Sequence, residues 1–222
     1  MNNHLPERLL KVAELVPTCR CVFDIGADHA YLPIQLVRED RCQFAVAADV
    51  RPGPLDRARR HIHELDLSER IETRLTDGLQ NLNVAETDVV VIAGLGGNEI
   101  MDILAASLPD CLAIILQPMK SSPDLRAWLY QNGYRIDQET LAFDRGRYYP
   151  IMRCVWSGLS ERLDLLSAWV GPVLLQNRPV HILPWLIILQ ARLSKQSRSQ
   201  PELQGLAGRI GEIIAEQRAR MS

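Results

Sequence analysis

Apolar residues fall into two kinds of run along this chain. Short, near-continuous stretches alternate with longer segments in which apolar positions recur every three or four residues. The first kind reads as strands and the second as helices. Cys21–Gly26 predicts a strand ending at glycine, Tyr31–Glu39 a helix, Phe44–Val50 a second strand and Gly53–Asp66 a second helix. Ile71–Leu75 is a third strand. Asp88–Ala93, rich in Val and Ile, has the composition of a strand covered on both faces. Asn98–Leu108 follows as a helix with Ile100, Ile103 and Leu104 on one side, then Leu112–Leu116 as a fifth strand stopped by Pro118. Pro123–Asn132 predicts a helix with Ser122 as its cap and Gly133 beyond its end.

Strand–helix alternation of this kind predicts an α/β fold, a parallel sheet with helices on both faces. Its ligand site then lies at the carboxyl ends of the strands. The pattern changes at Arg135–Phe143 and Tyr148–Trp156, which have only Asp144-Arg145-Gly146-Arg147 between them and predict a hairpin. A parallel sheet finished by an antiparallel hairpin is the layout of Rossmann-like methyltransferases. After Trp156 strand signals stop. Leu163, Leu166 and Trp169 begin a helical pattern. Ile182, Leu186, Leu189 and Leu193 form one stripe, and Leu203, Leu206, Ile210, Ile213 and Gln217 a second, with Ser197–Pro201 between them. These predict a small C-terminal coiled-coil hairpin. The expected division is a Rossmann-like domain over 1–157 and a helical domain over 158–222.

The 222 residues suffice for one sizeable domain plus an appendage, and 47% hydrophobic with 23% charged residues is ordinary for a globular chain. The net charge of −2 does not announce a nucleic-acid binder, but its distribution is uneven: +3 from Gly158 onward and −5 before it. A basic tail suits a polyanion as well as it suits a solvated helix face. The first residues lack a basic-then-apolar leader, and the apolar run Ile182–Leu189 is short and contains Pro184. A cytoplasmic protein without membrane contact is expected. Five cysteines, an odd number, with Cys21, Cys111 and Cys154 in apolar runs, read as reduced thiols; Cys19-x-Cys21 lacks zinc spacing, so no metal is expected.

Four loops carry the candidate chemistry. Asp24-Ile25-Gly26-Ala27-Asp28-His29-Ala30-Tyr31-Leu32-Pro33 has one glycine at its turn, not the three of a pyrophosphate-binding loop. That argues against a dinucleotide and suits S-adenosylmethionine, which has no phosphate. Asp49 ends the second strand 25 residues after Asp24, where a carboxylate can hold both ribose hydroxyls; capping of the next helix is the alternative. Asp77-Gly78 can accept from an adenine amino group, or form a simple turn. Ala93-Gly94-Leu95-Gly96-Gly97 leaves room against the backbone. It lacks the Asn/Asp-Pro-Pro-aromatic motif of enzymes that methylate exocyclic amines, which points to a ring nitrogen or another nucleophile with a free lone pair.

At these residues the chain closely resembles the bacterial tRNA (adenine-N1)-methyltransferase family, whose members modify adenine 22. The shared stretches are Asp24–Ile34, Asp49-Val50 with Gly53-Pro54-Leu55, Asp77-Gly78-Leu79, Ile92–Gly97, Leu116-Gln117-Pro118-Met119, Arg126-x-Trp128-Leu129 and Tyr148-Tyr149. Ala27 stands where the family commonly has Ser or Thr, and Leu95 where it has Met. The resemblance implies a C-terminal coiled coil, S-adenosyl-L-methionine as cofactor, tRNA as partner and methyl transfer to adenine N1. It assigns cofactor binding to Asp24, Gly26, Asp28, His29, Asp49, Asp77, Gly78, Ala93 and Gly94. Asp28, His29 and Tyr31 are the candidate catalytic residues, the first two holding the methionine end or bordering the base and Tyr31 stacking on it. Candidate phosphate contacts are Arg8, Lys11, Arg57, Arg59, Arg60, Lys120, Arg126, Arg145 and Arg147. A monomer or weak homodimer is expected. The competing readings are a small-molecule methyltransferase, a non-catalytic tRNA-binding protein that keeps the fold and, more distantly, a nicotinamide dehydrogenase.

Overall fold

The computed structural model describes residues 5–197, 200 and 202–219. The elements run α1 (Glu7–Leu15), β1 (Cys19–Ile25), α2 (Tyr31–Arg38), β2 (Cys42–Asp49), α3 (Pro52–Glu64), β3 (Ile71–Leu75), β4 (Val89–Leu95), α4 (Gly97–Ala106), β5 (Ala113–Pro118), α5 (Ser122–Gln131), β6 (Tyr134–Asp144) and β7 (Arg147–Trp156). Four helices follow: α6 (Leu165–Val170), α7 (Pro172–Asn177), α8 (Ile182–Gln196) and α9 (Glu202–Ala219). Arg198, Ser199 and Pro201 of the expected connection, and Arg220 of the basic tail, lie outside the described residues.

One seven-stranded sheet has the order β3-β2-β1-β4-β5-β7-β6. The first five strands are parallel, and β7 pairs antiparallel with both β5 and β6. The order reverses between β1 and β4, and in open α/β sheets the crevice for a ligand lies at such a reversal. Side chains alternate across the sheet. Val22, Ala45, Ala47, Val89, Val91 and Ile115 pack with Val12, Leu36, Ala58 and Ile62 of α1–α3. Phe23, Ile25, Ala48, Val90, Ile92, Ile114 and Leu116 pack with Ile100, Leu104, Leu125 and Leu129 of α4 and α5. The hairpin between β6 and β7 turns on Arg145 and Gly146, both with positive φ (48° and 77°), the backbone a two-residue hairpin turn demands.

The tail forms a third cluster. Leu186, Leu189 and Leu193 of α8 meet Leu203, Leu206, Ala207, Ile210 and Ile214 of α9, together with Leu141, Val170 and Leu174. The expected helical hairpin is present, and the short helix α6 beside it is tied to α5 and β6. Arg126 of α5, fully buried, donates from Nε and Nη2 to Glu139 Oε1 of β6 (2.8 and 2.6 Å) and from Nη1 to the Ala168 carbonyl of α6 (2.9 Å). Gly171, with φ of 85°, lets α7 turn beside this pair; a Cβ there would run into the Glu139 carboxylate and lie 3.0 Å from Arg126 Nε.

Several expectations change. Helix α1, absent from the expected elements, starts after Pro6 without a side-chain cap bond. Ser122 is the first residue of α5 and not its cap; Ser121 precedes it in a left-handed conformation, without a side-chain cap bond. The tail begins with two short helices separated at Gly171-Pro172, the first capped by Asp164. Pro184 falls in the first turn of α8, where proline is tolerated. In α9 Ile214 is buried, and the expected Ile213 is half-buried against the same cluster. Cys111 lies in the loop before β5, half-buried. Burial pushes the thiols up, Cys19 to about 11 and Cys21, Cys42 and Cys111 to about 12. Among the described residues no helix is long and apolar enough to cross a membrane, and no group of three or more His, Cys, Asp and Glu side chains gathers as a metal site.

Candidate active site

The carboxyl ends of β1, β2 and β4 bring the predicted loops together at the reversal of strand order. Gly26 ends β1 with φ of 80°. Its N–H and that of Ala27 donate to the Ala48 carbonyl of β2 (2.8 and 3.0 Å), which pins the turn to the neighbouring strand. The same turn faces the β4 loop: a Cβ at Gly26 would lie 3.5 Å from the Leu95 side chain.

Asp24, one residue short of the end of β1, is 7% exposed. No hydrogen bond to its carboxylate is formed among the described residues. Burial raises its pKa to about 7, against a partial offset from the Arg8 guanidinium. A carboxylate without a donor in such a place suits a cationic partner. Arg8 reaches in from α1 and donates from Nη1 to Gln117 Oε1 at the end of β5 (3.2 Å), while its Nε lies 3.6 Å from Asp144. Gly94, with φ of 85°, lies under the same guanidinium.

Asp49, 4% exposed, ends β2. Its Oδ1 accepts from the Arg51 backbone N–H (2.8 Å) and from Arg51 Nε (3.3 Å), and Oδ2 accepts from no described residue. Asp49 therefore does not cap α3, whose N-cap is Arg51 without a side-chain cap bond. Asp77 and Gly78 follow β3. Asp77 is exposed and its carbonyl accepts from Gln80 N–H (3.2 Å). Gly78 has φ of 58°, and a Cβ there would lie 3.0 Å from Ile103.

In the β4 loop the glycines divide their tasks. Gly94 supplies the positive φ. Gly97 lets two loops meet: its N–H donates to the Lys120 carbonyl (3.0 Å), and a Cβ there would lie 2.7 Å from the Ser121 oxygen. Ala93, half-buried, precedes a register shift between Ala93 and Leu95.

Asp28 and His29 follow Gly26 in the same loop, and Tyr31 opens α2. His29 and Ala30 are both left-handed (φ 64° and 53°), a strained pair for residues with a Cβ. The turn stacks the His29 and Tyr31 rings at 5.2 Å between centroids. His61 of α3 holds it: Nδ1 donates to the His29 carbonyl (3.0 Å), and its ring meets Tyr31 edge-on at 5.2 Å. Asp28 accepts from Arg57 Nη2 (2.9 Å) and lies 3.5 Å from His29 Nε2. These rings open onto a groove of about 550 Å³ between α2 and α3, lined also by Arg38, Arg57 and Arg60.

The sequence gives no sign of the roles of His61, Arg51 and Gln117, which arise from contacts no spacing rule encodes. Arg126, expected among the phosphate contacts, is fully buried against Glu139. Of the other cations, Arg57, Arg59 and Lys11 pair with Asp28, Asp56 and Glu14.

Residues 5–152 match the family model described as a methyltransferase domain. The tRNA (adenine(22)-N(1))-methyltransferase of Bacillus subtilis (strain 168) is 32% identical over 197 residues, covering 84% of this chain and 82% of that protein. Among solved structures, a Streptococcus pneumoniae protein in complex with S-adenosyl-L-methionine is 29% identical, with a TM-score of 0.85 over 95% of this chain and 100% of that one. M. capricolum TrmK in complex with S-adenosyl-homocysteine is 28% identical, with a TM-score of 0.81 over 95% of this chain and 98% of that one. Likeness that spans the sheet and the helical tail alike, at this identity, places the chain in the tRNA (adenine(22)-N(1))-methyltransferase family.

Proposed function

We infer that this protein transfers the methyl group of S-adenosyl-L-methionine to N1 of adenine 22 in tRNA. The observation that carries the reading is the buried Asp24 carboxylate, without a hydrogen-bond donor, beside two glycine turns and the half-engaged Asp49. This donor set fits the cofactor's charges: Asp24 would face its cationic methionine end, Arg8 its carboxylate, and Asp49 Oδ2 its ribose hydroxyls. Gly26 and Gly94 would let it lie against the backbone, and Asp77 with Gly78 would border the adenine.

When bound, the cofactor supplies a methyl group activated by a positively charged sulfur. Neutral adenine carries an in-plane lone pair at N1, so no base has to act before attack. The task of the chain is positioning, to a reacting distance of about 3–3.5 Å. The His29–Tyr31 stack, which opens onto the groove between α2 and α3, would be the aromatic face for an unstacked base. Asp28, held by Arg57, would border that base. The reading includes residues 1–157 as catalytic domain and 158–222 as helical domain, in a cytoplasmic protein acting as a monomer or weak homodimer.

The test incubates purified protein with unmodified tRNA and methyl-labelled cofactor, then digests the RNA to nucleosides. Label in 1-methyladenosine is expected. Asp49→Ala should weaken cofactor binding by about 10–100-fold, the loss of hydrogen bonds to a charged acceptor. Label in a small-molecule fraction, or none in RNA, would refute the reading.

A further inference from the structure

A second cleft lies away from the groove at His29 and Tyr31. It holds about 350 Å³ between the β5–α5 loop, the tip of the β6–β7 hairpin and the tail helix α8, within the size range of pockets that take small ligands (~300–1,000 Å³). Three exposed cations line it: Lys120, Arg147 and Arg192. Tyr148, Trp185 and the exposed Ile188 supply flat and apolar walls. The floor is Arg126, whose charge Glu139 already balances. No aspartate or glutamate lines the cleft among the described residues. In a chain of net charge −2 such a one-sided lining is a local concentration of positive charge, not background. Arg192 is itself held in place, its guanidinium 5.3 Å from the Trp169 ring centre.

We propose that this cleft is a second RNA subsite, which takes one unstacked nucleotide of the substrate tRNA other than the adenine that is methylated. Aromatic faces among cations, without acids, are the chemistry that holds a base by stacking and its phosphate by charge. The cleft adjoins the candidate active site through Lys120: its Cε lies 3.0 Å from where a Cβ of Gly96 would stand, and its carbonyl accepts from Gly97 N–H. An RNA whose target base reaches the β4 loop therefore passes this cleft. The subsite also gives the docked tail a task, since α8 forms one wall. The proposal rests on tRNA being the substrate.

Two measurements separate the outcomes, both on the full chain. The first is tRNA binding by fluorescence anisotropy and methylation kinetics for wild type, Arg147→Glu/Arg192→Glu and Trp185→Ala. Because the two arginines are exposed, their reversal leaves the core intact. The expected result is an increase of about tenfold or more in tRNA Kd and KM for both variants, with kcat at saturating tRNA and cofactor Kd within about twofold. The second is quenching of tryptophan fluorescence by tRNA, reduced in Trp185→Phe, with polyglutamate of matched charge leaving Trp185 unquenched. If wild type binds tRNA without methylating it, the catalytic reading fails while the binding comparison still judges the subsite. Unchanged tRNA affinity in the double reversal, quenching of Trp185 by polyglutamate equal to that by tRNA, or no tRNA binding by wild type would each overturn the proposal.

Discussion

Asp24→Asn is expected to stabilise the protein while weakening its cofactor site. In the fold the Asp24 carboxyl sits at about 7 instead of 3.8, because burial disfavours its charge more than Arg8 favours it. The folded state therefore holds a proton that the unfolded state releases between those two values, and stability falls as pH rises through that window. Below 3.8 both states are protonated and the contribution vanishes; above about 7 it is complete. At about 1.4 kcal/mol per pKa unit, the raised pKa costs at most about 4 kcal/mol at pH 8, where the folded carboxylate is ionised, and about 2 kcal/mol at pH 5, where folding must take up a proton. Asparagine keeps the shape and removes the charge, so urea denaturation without cofactor should show the variant more stable than wild type, by more at pH 8 than at pH 5. Calorimetry should show the opposite for S-adenosyl-L-methionine: weaker binding by Asp24→Asn at pH 8. Wild-type affinity should rise with pH through about 7, and the variant should lack that rise. A variant less stable than wild type at pH 8, or one that binds cofactor equally well, would refute the reasoning.

Three further outcomes follow from contacts described above. Arg126→Ala leaves Glu139 buried without its partner and should cost about 3–5 kcal/mol, with faster proteolysis around residues 158–165 as α6 loosens; unchanged denaturation and cleavage would show that the pair does not hold the tail. Gly97→Ala drives a Cβ into the Ser121 carbonyl at 2.7 Å and should lower stability by about 1–3 kcal/mol, a change measurable by thermal melting; an unaltered melting temperature would mean the two loops part freely. His61→Ala removes the donor to the strained His29 turn and should reduce kcat on tRNA by about tenfold or more at unchanged cofactor Kd, with partial rescue by His61→Asn; equal loss of cofactor binding would point to a general structural role.

The core of the fold was legible because β1, β2, β4 and β5 are covered on both faces and so read as unbroken apolar runs. The hairpin was legible because Arg145-Gly146 supplies the turn and nothing helical separates its strands. What was not legible depends on contacts distant in sequence. Helix α1 lacks a cap and becomes a helix by packing Val12 and Ala13 into the sheet's core. Ile213 and Ile214 are adjacent and equally apolar, so only the partner helix decides which is buried more deeply. In the site, Asp24, Gly26, Asp49 and Gly94 could be named from their places after strands. His61 could not, since it acts through the His29 carbonyl, and a carbonyl leaves no mark in a sequence. Arg126 looked like any surface arginine on α5 until Glu139 and the Ala168 carbonyl were found around it.

The central claim, methyl transfer to N1 of one adenine, is tested most directly by mapping the product on tRNA. Reverse transcription halts at 1-methyladenosine, so transcripts treated with protein and S-adenosyl-L-methionine should acquire a single stop at position 22. Transcripts carrying guanine at that position should acquire none. Stops elsewhere, or undiminished label in the guanine transcript, would contradict the account.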